Sequence, residues 1–499
     1  MSRRRLVSLL AAVSLAAAGA SAIAAPPAPS TAKLERTLHG AGSFHAFVQF
    51  DRPVRDSDVA ALAKLGITKM HAFKYVNSIA VIAPVAKLAK AANLPGVTAV
   101  VRDNGLKLDL DKSKKALKVD KARAAKPKGN GLTGKGVTVA VIDSGLDDTH
   151  PDFAGRVKEN LNFEGGWMWD AWQDGSITNE VAETTGPYGG VDEIGHGTHV
   201  ASTVGGSGAA GKGPTGTGAD YSGVAPGVEF VGMKVASAAQ GVAYDMGWEA
   251  NAMAAIEYLM EHNKTLKVSI VQNSWSVFEV THPDSEPVIQ MIRAAVNSGL
   301  IFVFSAGNNG GDGANSVSWP GAMGNVITVG STLKTAPYKR SDFSAQGQQV
   351  DLMAPGSNIV AARSKGAVID LQNAATPAQD RPYYMAISGT SMSSPHISGV
   401  IALMKQANPR LTGEAAEEIL SRTASDLGGK GKDTLYGWGF VDAYKATTVA
   451  ACLAKSSSAK REGCFSSVKA LAKSKYRSDW KSKGNETPTS NADEPLPPV

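Results

Sequence analysis

The sequence predicts an α/β protein built on a mainly parallel sheet flanked by helices, preceded by a small α+β domain. Short, nearly continuous apolar runs recur at Val137–Ile142, Val268–Val271, Ile301–Phe304, Val326–Val329 and Val350–Met353. Strands without polar alternation are buried on both faces, the condition of a parallel sheet. Helical patterns stand between several of these runs, as at Glu249–His262 and Glu286–Asn297. Glycine supplies 53 of 499 residues, mostly between 129 and 450, which suits a large enzyme with many tight turns. Hydrophobic residues at 43% and charged residues at 19% exclude a disordered chain. The net charge is 51 − 45 = +6, and three of those charges are Arg3, Arg4 and Arg5, so a nucleic-acid partner is not expected.

Read from the N-terminus, Met1–Ala24 has the make-up of a secretory signal. Arg3–Arg5 form a charged start, Leu6–Ala18 an apolar run, and Ala22-Ile23-Ala24 a small-x-small cleavage site. The run is shorter than the ~18–20 residues of a spanning helix, and no other stretch is long and apolar enough, so export without a membrane span is expected. A Pro/Ala/Ser linker (25–32) follows. Then come a strand at His45–Phe50, a helix at Ser57–Leu65, strand material at Tyr75–Ile82, a helix at Val85–Ala92 and a strand at Val97–Arg102. That order suits a ferredoxin-like unit, placed within residues 25–110. The Lys-rich connector Leu106–Lys128 reads as a solvated linker, easily cut by a protease. Residues 111–449 hold the α/β domain. From 450 to 499 the chain turns basic and Ser-rich and is expected to be loosely ordered. The two cysteines, Cys452 and Cys464, allow one small disulfide-bonded loop in an exported protein.

Chemistry-bearing side chains stand at predicted element ends. Asp143 closes a buried strand. His196 opens a helix in Gly195-His-Gly-Thr-His199. Ser391 begins an apolar helix in Gly389-Thr-Ser-Met-Ser-Ser-Pro395-His, where Pro395 is read as a first-turn proline that removes no intrahelical hydrogen bond. A serine hydroxyl needs a neutral imidazole to take its proton, and that imidazole needs a carboxylate to fix its tautomer. Asp143, His196 and Ser391 are those three types, and Asn308, after a strand end, can donate its amide to an oxyanion. His196 and His199 with Asp143 also form a conceivable zinc set, but the HExxH pattern is missing.

The segments VAVIDSGLDDTHPDF (139–153), HGTHVAS (196–202), SAGNNG (305–310) and GTSMSSPHISG (389–399) resemble the subtilisin-like (subtilase) serine protease family, as do SGVAPGV (222–228), VDLMAPG (350–356) and YGWGFVDA (436–443). The likeness runs from about Leu117 to Val449. It implies a triad of Asp143, His196 and Ser391, with Asn308 as oxyanion donor. It also implies a substrate cleft at Ser274, Trp275, Ser276, Ala306 and Gly307. The 36–110 segment resembles the family's inhibitory propeptide, an intramolecular partner removed by self-cleavage within Asp103–Lys118. Three features depart from the family pattern. Ser274-Trp-Ser-Val277 replaces the usual edge sequence and is expected to narrow the cleft. An insertion with Trp167, Trp169 and Trp172 follows Asp143. Asp152 matches a calcium position, but the Gly/Thr-rich stretch Gly205–Gly218 stands where that site is usually completed, so no cofactor is expected to be required. Asn309 and Ser318 fall near the pocket for the residue before the scissile bond, and both are uncharged. His150, His199 and His396 read as structural.

The expected activity is a secreted, monomeric serine endopeptidase acting on proteins or peptides. A restricted precursor-processing peptidase or esterase, and an idle peptide-binding protein, remain as alternatives.

Overall fold

A computed structural model describes residues 34, 38, 42–103, 105–108, 115–125, 131–164, 191–212, 220–239, 242–277, 280, 283–367, 382–476, 478 and 480. The expected export signal, the linker 25–32, the Trp167–Trp172 insertion, residues 213–218 of the Gly/Thr-rich stretch and the end of the tail lie outside them.

The first unit follows the predicted order: β1 (Ser43–Phe50), α1 (Asp56–Lys64), β2 (Thr68–Ala72), β3 (Ser78–Pro84), α2 (Val85–Ala91) and β4 (Val97–Arg102). Its sheet runs β2-β3-β1-β4, antiparallel throughout. The side-chain period of two divides this sheet between two cores. Val48, Ile79, Val81 and Val100 pack with Leu62 and Leu88 of the unit's own helices. Phe47, Ala80 and Ile82, with Met70, join the core of the larger domain. Asp58 holds the start of α1, accepting the Arg55 N–H at 2.9 Å and the Arg52 guanidinium at 2.7 and 2.9 Å.

The chain continues through β5 (Gly105–Leu108), α3 (Val119–Ala124), β6 (Thr138–Asp143), β7 (Val157–Asn162), α4 (His196–Gly205), β8 (Glu229–Lys234), β9 (Ala236–Ala239) and β10 (Val242–Trp248). Next come α5 (Glu249–Leu266), β11 (Val268–Asn273), β12 (Trp275–Val277), α6 (Pro287–Asn297), β13 (Ile301–Ser305), β14 (Ile327–Thr332) and β15 (Leu352–Pro355). The hairpin of β16 (Ile359–Ala362) and β17 (Tyr384–Ile387) precedes α7 (Thr390–Ala407), α8 (Gly413–Thr423), α9 (Ala443–Leu453) and α10 (Arg461–Ser466). Seven strands form one parallel sheet in the order β15-β14-β13-β11-β6-β8-β7. The runs read as doubly buried strands supply five of its seven strands, from β15 at one edge to β6, and every residue of β6 is buried.

The first unit is fastened to α5 and to the turn before α6. His71 Nε2 meets Glu257 Oε2 at 2.5 Å, the Lys74 N–H donates to Glu257 Oε1, and Gln49 donates to the Ser285 carbonyl at 2.8 Å. Asp103, just past β4, is buried at the start of α5 and accepts the Ala250 N–H. The connector then returns as a strand. β5 pairs antiparallel with β12 on one side and β10 on the other, in a sheet ordered β12-β5-β10-β9. Its first residues were therefore misread as solvated linker, because lysines in an inserted strand give no apolar pattern.

The segment from 450 departs further from expectation. The boundary placed after 449 falls inside α9, and residues up to 476 pack on α8 instead of lying loose. Cys452 and Cys464 are disulfide-bonded. Arg422 is wholly buried, stacks 3.6 Å over the Phe465 ring, and pairs with Glu418 at 2.9 Å and Glu462 at 2.6 Å. The prevalence of Lys and Ser hid these few anchors. Tyr476 Oη and Ser421 Oγ donate to Glu417, and burial next to Asp351 pushes that carboxyl up to about 8 from 4.5. A raised carboxyl adds stability in full below its unfolded value and loses it as pH climbs through the folded one. Glu417→Gln cannot ionise, so it should melt at a higher temperature than the parent at pH 9 and match it at pH 4.5. Equal melting temperatures at pH 9 would assign the titration elsewhere.

Candidate active site

Because the large sheet is parallel, its carboxyl ends share one edge, where reactive groups collect in such folds. β6 delivers Asp143 there, β11 runs on into Ser274, and β13 runs on into Ala306-Gly307-Asn308. α4 and α7 both begin at this edge and pack against each other, which places His196 and Ser391 near adjoining helix starts.

The Asp143–His196 contact depends on a glycine. A Cβ on Gly197 would lie 2.1 Å from the Gly145 carbonyl and 3.2 Å from Asp143 Cβ, so only glycine lets α4 approach β6 this closely. His196 Nδ1 lies 2.6 Å from Asp143 Oδ1, and the Ser144 N–H donates to the same oxygen at 2.7 Å. Both side chains are wholly buried. A carboxylate on Nδ1–H leaves Nε2 as the basic nitrogen.

A buried support lies behind this pair. Asp192 accepts the Ser144 hydroxyl at 2.8 Å and the Gly195 and Thr198 N–H groups at 2.7 and 2.8 Å, and so caps α4. Ser144 Oγ in turn accepts the Gly197 N–H at 2.9 Å. Burial raises the Asp192 pKa against these bonds. Lys234 Nζ donates to the Ser144 and Ala236 carbonyls at 3.0 and 2.8 Å and pairs with Glu193 at 2.9 Å. Burial alone would lower this ammonium, but Glu164 and Glu193 carry it upward. The sequence reading assigned no role to Asp192 or Lys234. Their signals are an acid at capping distance before the helix and a lysine closing a buried strand.

On the other side, the Thr390 N–H and hydroxyl both donate to Asn308 Oδ1, at 2.9 and 3.0 Å. With its amide oxygen committed, Asn308 has its NH2 left to donate. Gly307 turns the chain with φ +104°, and a Cβ there would sit 2.4 Å from Ser318 Oγ. The Ala306 and Gly307 carbonyls accept from Ser318 and Ala345. Ser318 Oγ also lies 3.4 Å from Asn309 Oδ1, so these two uncharged residues are neighbours. Ser391 Oγ donates to the Ser274 carbonyl at 3.1 Å. Pro395 is not in the first turn. It is the sixth residue of α7 and removes the hydrogen bond that the Ser391 carbonyl would otherwise accept.

Among the cleft candidates, Trp275 and Ser276 lie on β12, opposite Leu108 and Lys107 of β5. The Trp275 ring is buried edge-on to Phe304 at 5.2 Å, so β12 meets β5 through its main chain. Leu108 stands one residue short of Ser274, whose carbonyl receives the Ser391 hydroxyl.

The other histidines are hydrogen-bonded in place. His199 Nε2 meets the Ile359 carbonyl at 3.1 Å, and burial lowers its pKa to about 3. His150 meets the Tyr383 carbonyl and His396 the Met392 carbonyl. Asp152 Oδ1 accepts the Tyr384 hydroxyl at 2.9 Å and the Ala210 N–H at 3.1 Å. Asp152 Oδ2 is buried without a hydrogen-bond partner, and among the described residues no three acidic, His or Cys side chains are grouped.

Comparison with known proteins places this geometry. Residues 134–439 match the family model of the subtilase family. Serine protease AprX of Bacillus subtilis (strain 168) is 31% identical over 332 residues, covering 63% of this chain and 67% of that protein. Subtilisin Savinase of Lederbergia lenta is 29% identical over 337 residues, covering 66% of this chain and 97% of its own. The crystal structure of fervidolysin from Fervidobacterium pennivorans, described as a keratinolytic enzyme related to subtilisin, superimposes with a TM-score of 0.62 at 22% identity. The match covers 81% of this chain and 60% of that one.

Proposed function

Since the chain belongs to the subtilase family and is a subtilisin-like serine endopeptidase, we propose that it is exported as a zymogen whose N-terminal unit is its own inhibitor, cut off by the Asp143–His196–Ser391 triad. In this reading Ser391 Oγ attacks the scissile carbonyl and His196 Nε2 takes its proton. The imidazolium is stabilised by Asp143 and returns the proton to the leaving amine. The Asn308 amide and the Ser391 N–H hold the tetrahedral oxyanion. The acyl-enzyme is then released by water along the same path. The main chain of Ser274–Ser276 aligns an extended peptide, and Ala306 and Gly307 flank the residue before the scissile bond.

The observation that carries the proposal is β5. The connector lies as a strand between two strand edges, ending beside the residue that contacts Ser391. Export is supported by the make-up of Met1–Ala24 and by the Cys452–Cys464 bond, which persists in oxidising compartments. Sequencing the mature N-terminus tests the whole layout. A start between residues 109 and 118 is expected, together with labelling of Ser391 by a fluorophosphonate in that form. A start within 36–100, or an unlabelled mature protein, would sink the zymogen reading.

A further inference from the structure

Because Pro395 has no N–H, the Ser391 carbonyl must take its hydrogen bond from side-chain donors. Ser274 Oγ supplies it at 2.7 Å, and Ser394 Oγ lies 3.5 Å from the same oxygen. Ser391 Oγ donates back to the Ser274 carbonyl, so the strand end and the helix start are tied twice. A hydroxyl has a single proton. For Ser274 Oγ to direct it at Ser391, its other neighbours must donate to Ser274. Gln272 does so, since Nε2 donates one proton to Ser274 Oγ and the other to Ser394 Oγ, each at 2.8 Å. Ser394 Oγ, 3.1 Å from Ser274 Oγ, is thereby made an acceptor from Gln272 and turns its own proton toward Ser274 or Ser391. The opposite end of the amide is engaged as well. Ser398 Oγ donates to Gln272 Oε1 at 2.6 Å, and a flipped amide would turn the Ser274 and Ser394 hydroxyls toward Oε1 and away from the Ser391 carbonyl. All five side chains are wholly buried.

We propose that Gln272 is a positioning residue for the hydrolysis. It sets the direction of the hydroxyl protons that lock the nucleophile to the strand edge receiving the peptide. The inference rests on Ser391 being the nucleophile. Gln272 touches no substrate and acts only through Ser274 and Ser394.

Gln272→Glu tests the wiring with little change of shape. When ionised it has no proton to give, so the Ser274 and Ser394 hydroxyls turn toward it and the Ser391 carbonyl loses its donor. On a peptide p-nitroanilide, with active sites counted by fluorophosphonate titration, kcat should fall about tenfold or more, as small displacements of reacting groups can cost up to ~10²-fold. KM should stay within about twofold, the protein not contacting substrate through this residue. The profile of kcat against pH should show an extra ionisation absent from the parent, with rate recovered on its acid side. Gln272→Leu should lose a similar factor without that ionisation. Combining it with Ser274→Ala should be no slower than the slower single variant, because both cut one chain of bonds. A parent-like kcat for Gln272→Glu across pH, or fully multiplicative losses in the double variant, overturns the proposal while leaving Ser391 as nucleophile. If the Gln272 variants do not fold, Ser274→Ala alone must show the kcat loss at unchanged KM, and a parent-like kcat there overturns it equally. Loss of fluorophosphonate labelling in the folded parent would instead count against the functional reading on which this inference rests.

Discussion

Ser391→Ala, made in a protease-deficient host, should retain its N-terminal unit and hydrolyse casein about 10⁶-fold more slowly than the parent, a size carried over from subtilisin. The reason is local. Without the hydroxyl, His196 has no proton to take, and only the amide donors remain to assist water attack. In the proposed zymogen, cutting the connector uses the same hydroxyl on a strand seated beside it, so processing and turnover should fail together. Ser391→Ala removes one donor to the Ser274 carbonyl and no packing volume beyond an oxygen, so the fold should survive, as shown by circular dichroism and an unchanged cooperative melt. Cleavage by a trace of added parent enzyme would show that the connector of the variant is accessible. A variant that emerges shortened by itself and still digests casein would remove Ser391 from the mechanism.

Asp143→Asn should reduce kcat/KM by about 10⁴ with the melting temperature little changed. Asp143 Oδ1 accepts two N–H groups, from His196 and from Ser144. An asparagine with its Oδ1 in that place can keep both, whereas one turned to offer its NH2 to the imidazole draws the proton to Nε2, where the base should be. Even with the correct tautomer, a buried imidazolium would lack its counter-charge. Kinetics at saturating and limiting substrate separate the two expectations, since binding is untouched and the loss should fall on kcat. A drop below tenfold would mean that the carboxylate is structural.

The parts legible in the sequence were those whose cause is local. A doubly buried strand is an apolar run, so β6, β11, β13, β14 and β15 could be read directly, and each catalytic candidate stood at the end of such a run or at a helix start. The first unit was legible for the same reason, since strand and helix periods alternate along it. β7 was not. Lys158, Glu159 and Asn160 interrupt an edge strand whose outer side needs no apolar residue. Nor was β5, whose strand state comes from partners in residues 247–248 and 275–277. The positions supporting the site were hidden likewise. Gln272 and Ser394 are 122 residues apart, and nothing near either announces the other. Pro395 was misplaced because the helix begins at Thr390, leaving it too late for the first turn.

The two-sided seating of β5 has a further consequence for any chain that takes its place. A guest flanked by β12 and β10 must present bare amides and carbonyls along both margins, so a segment still engaged in its own helix or sheet is inadmissible. Attack on a compact protein then waits on spontaneous local opening, and its pace reports how often the victim frays. Two targets with identical cleavage-site residues would differ in lifetime by the ratio of their opening equilibria.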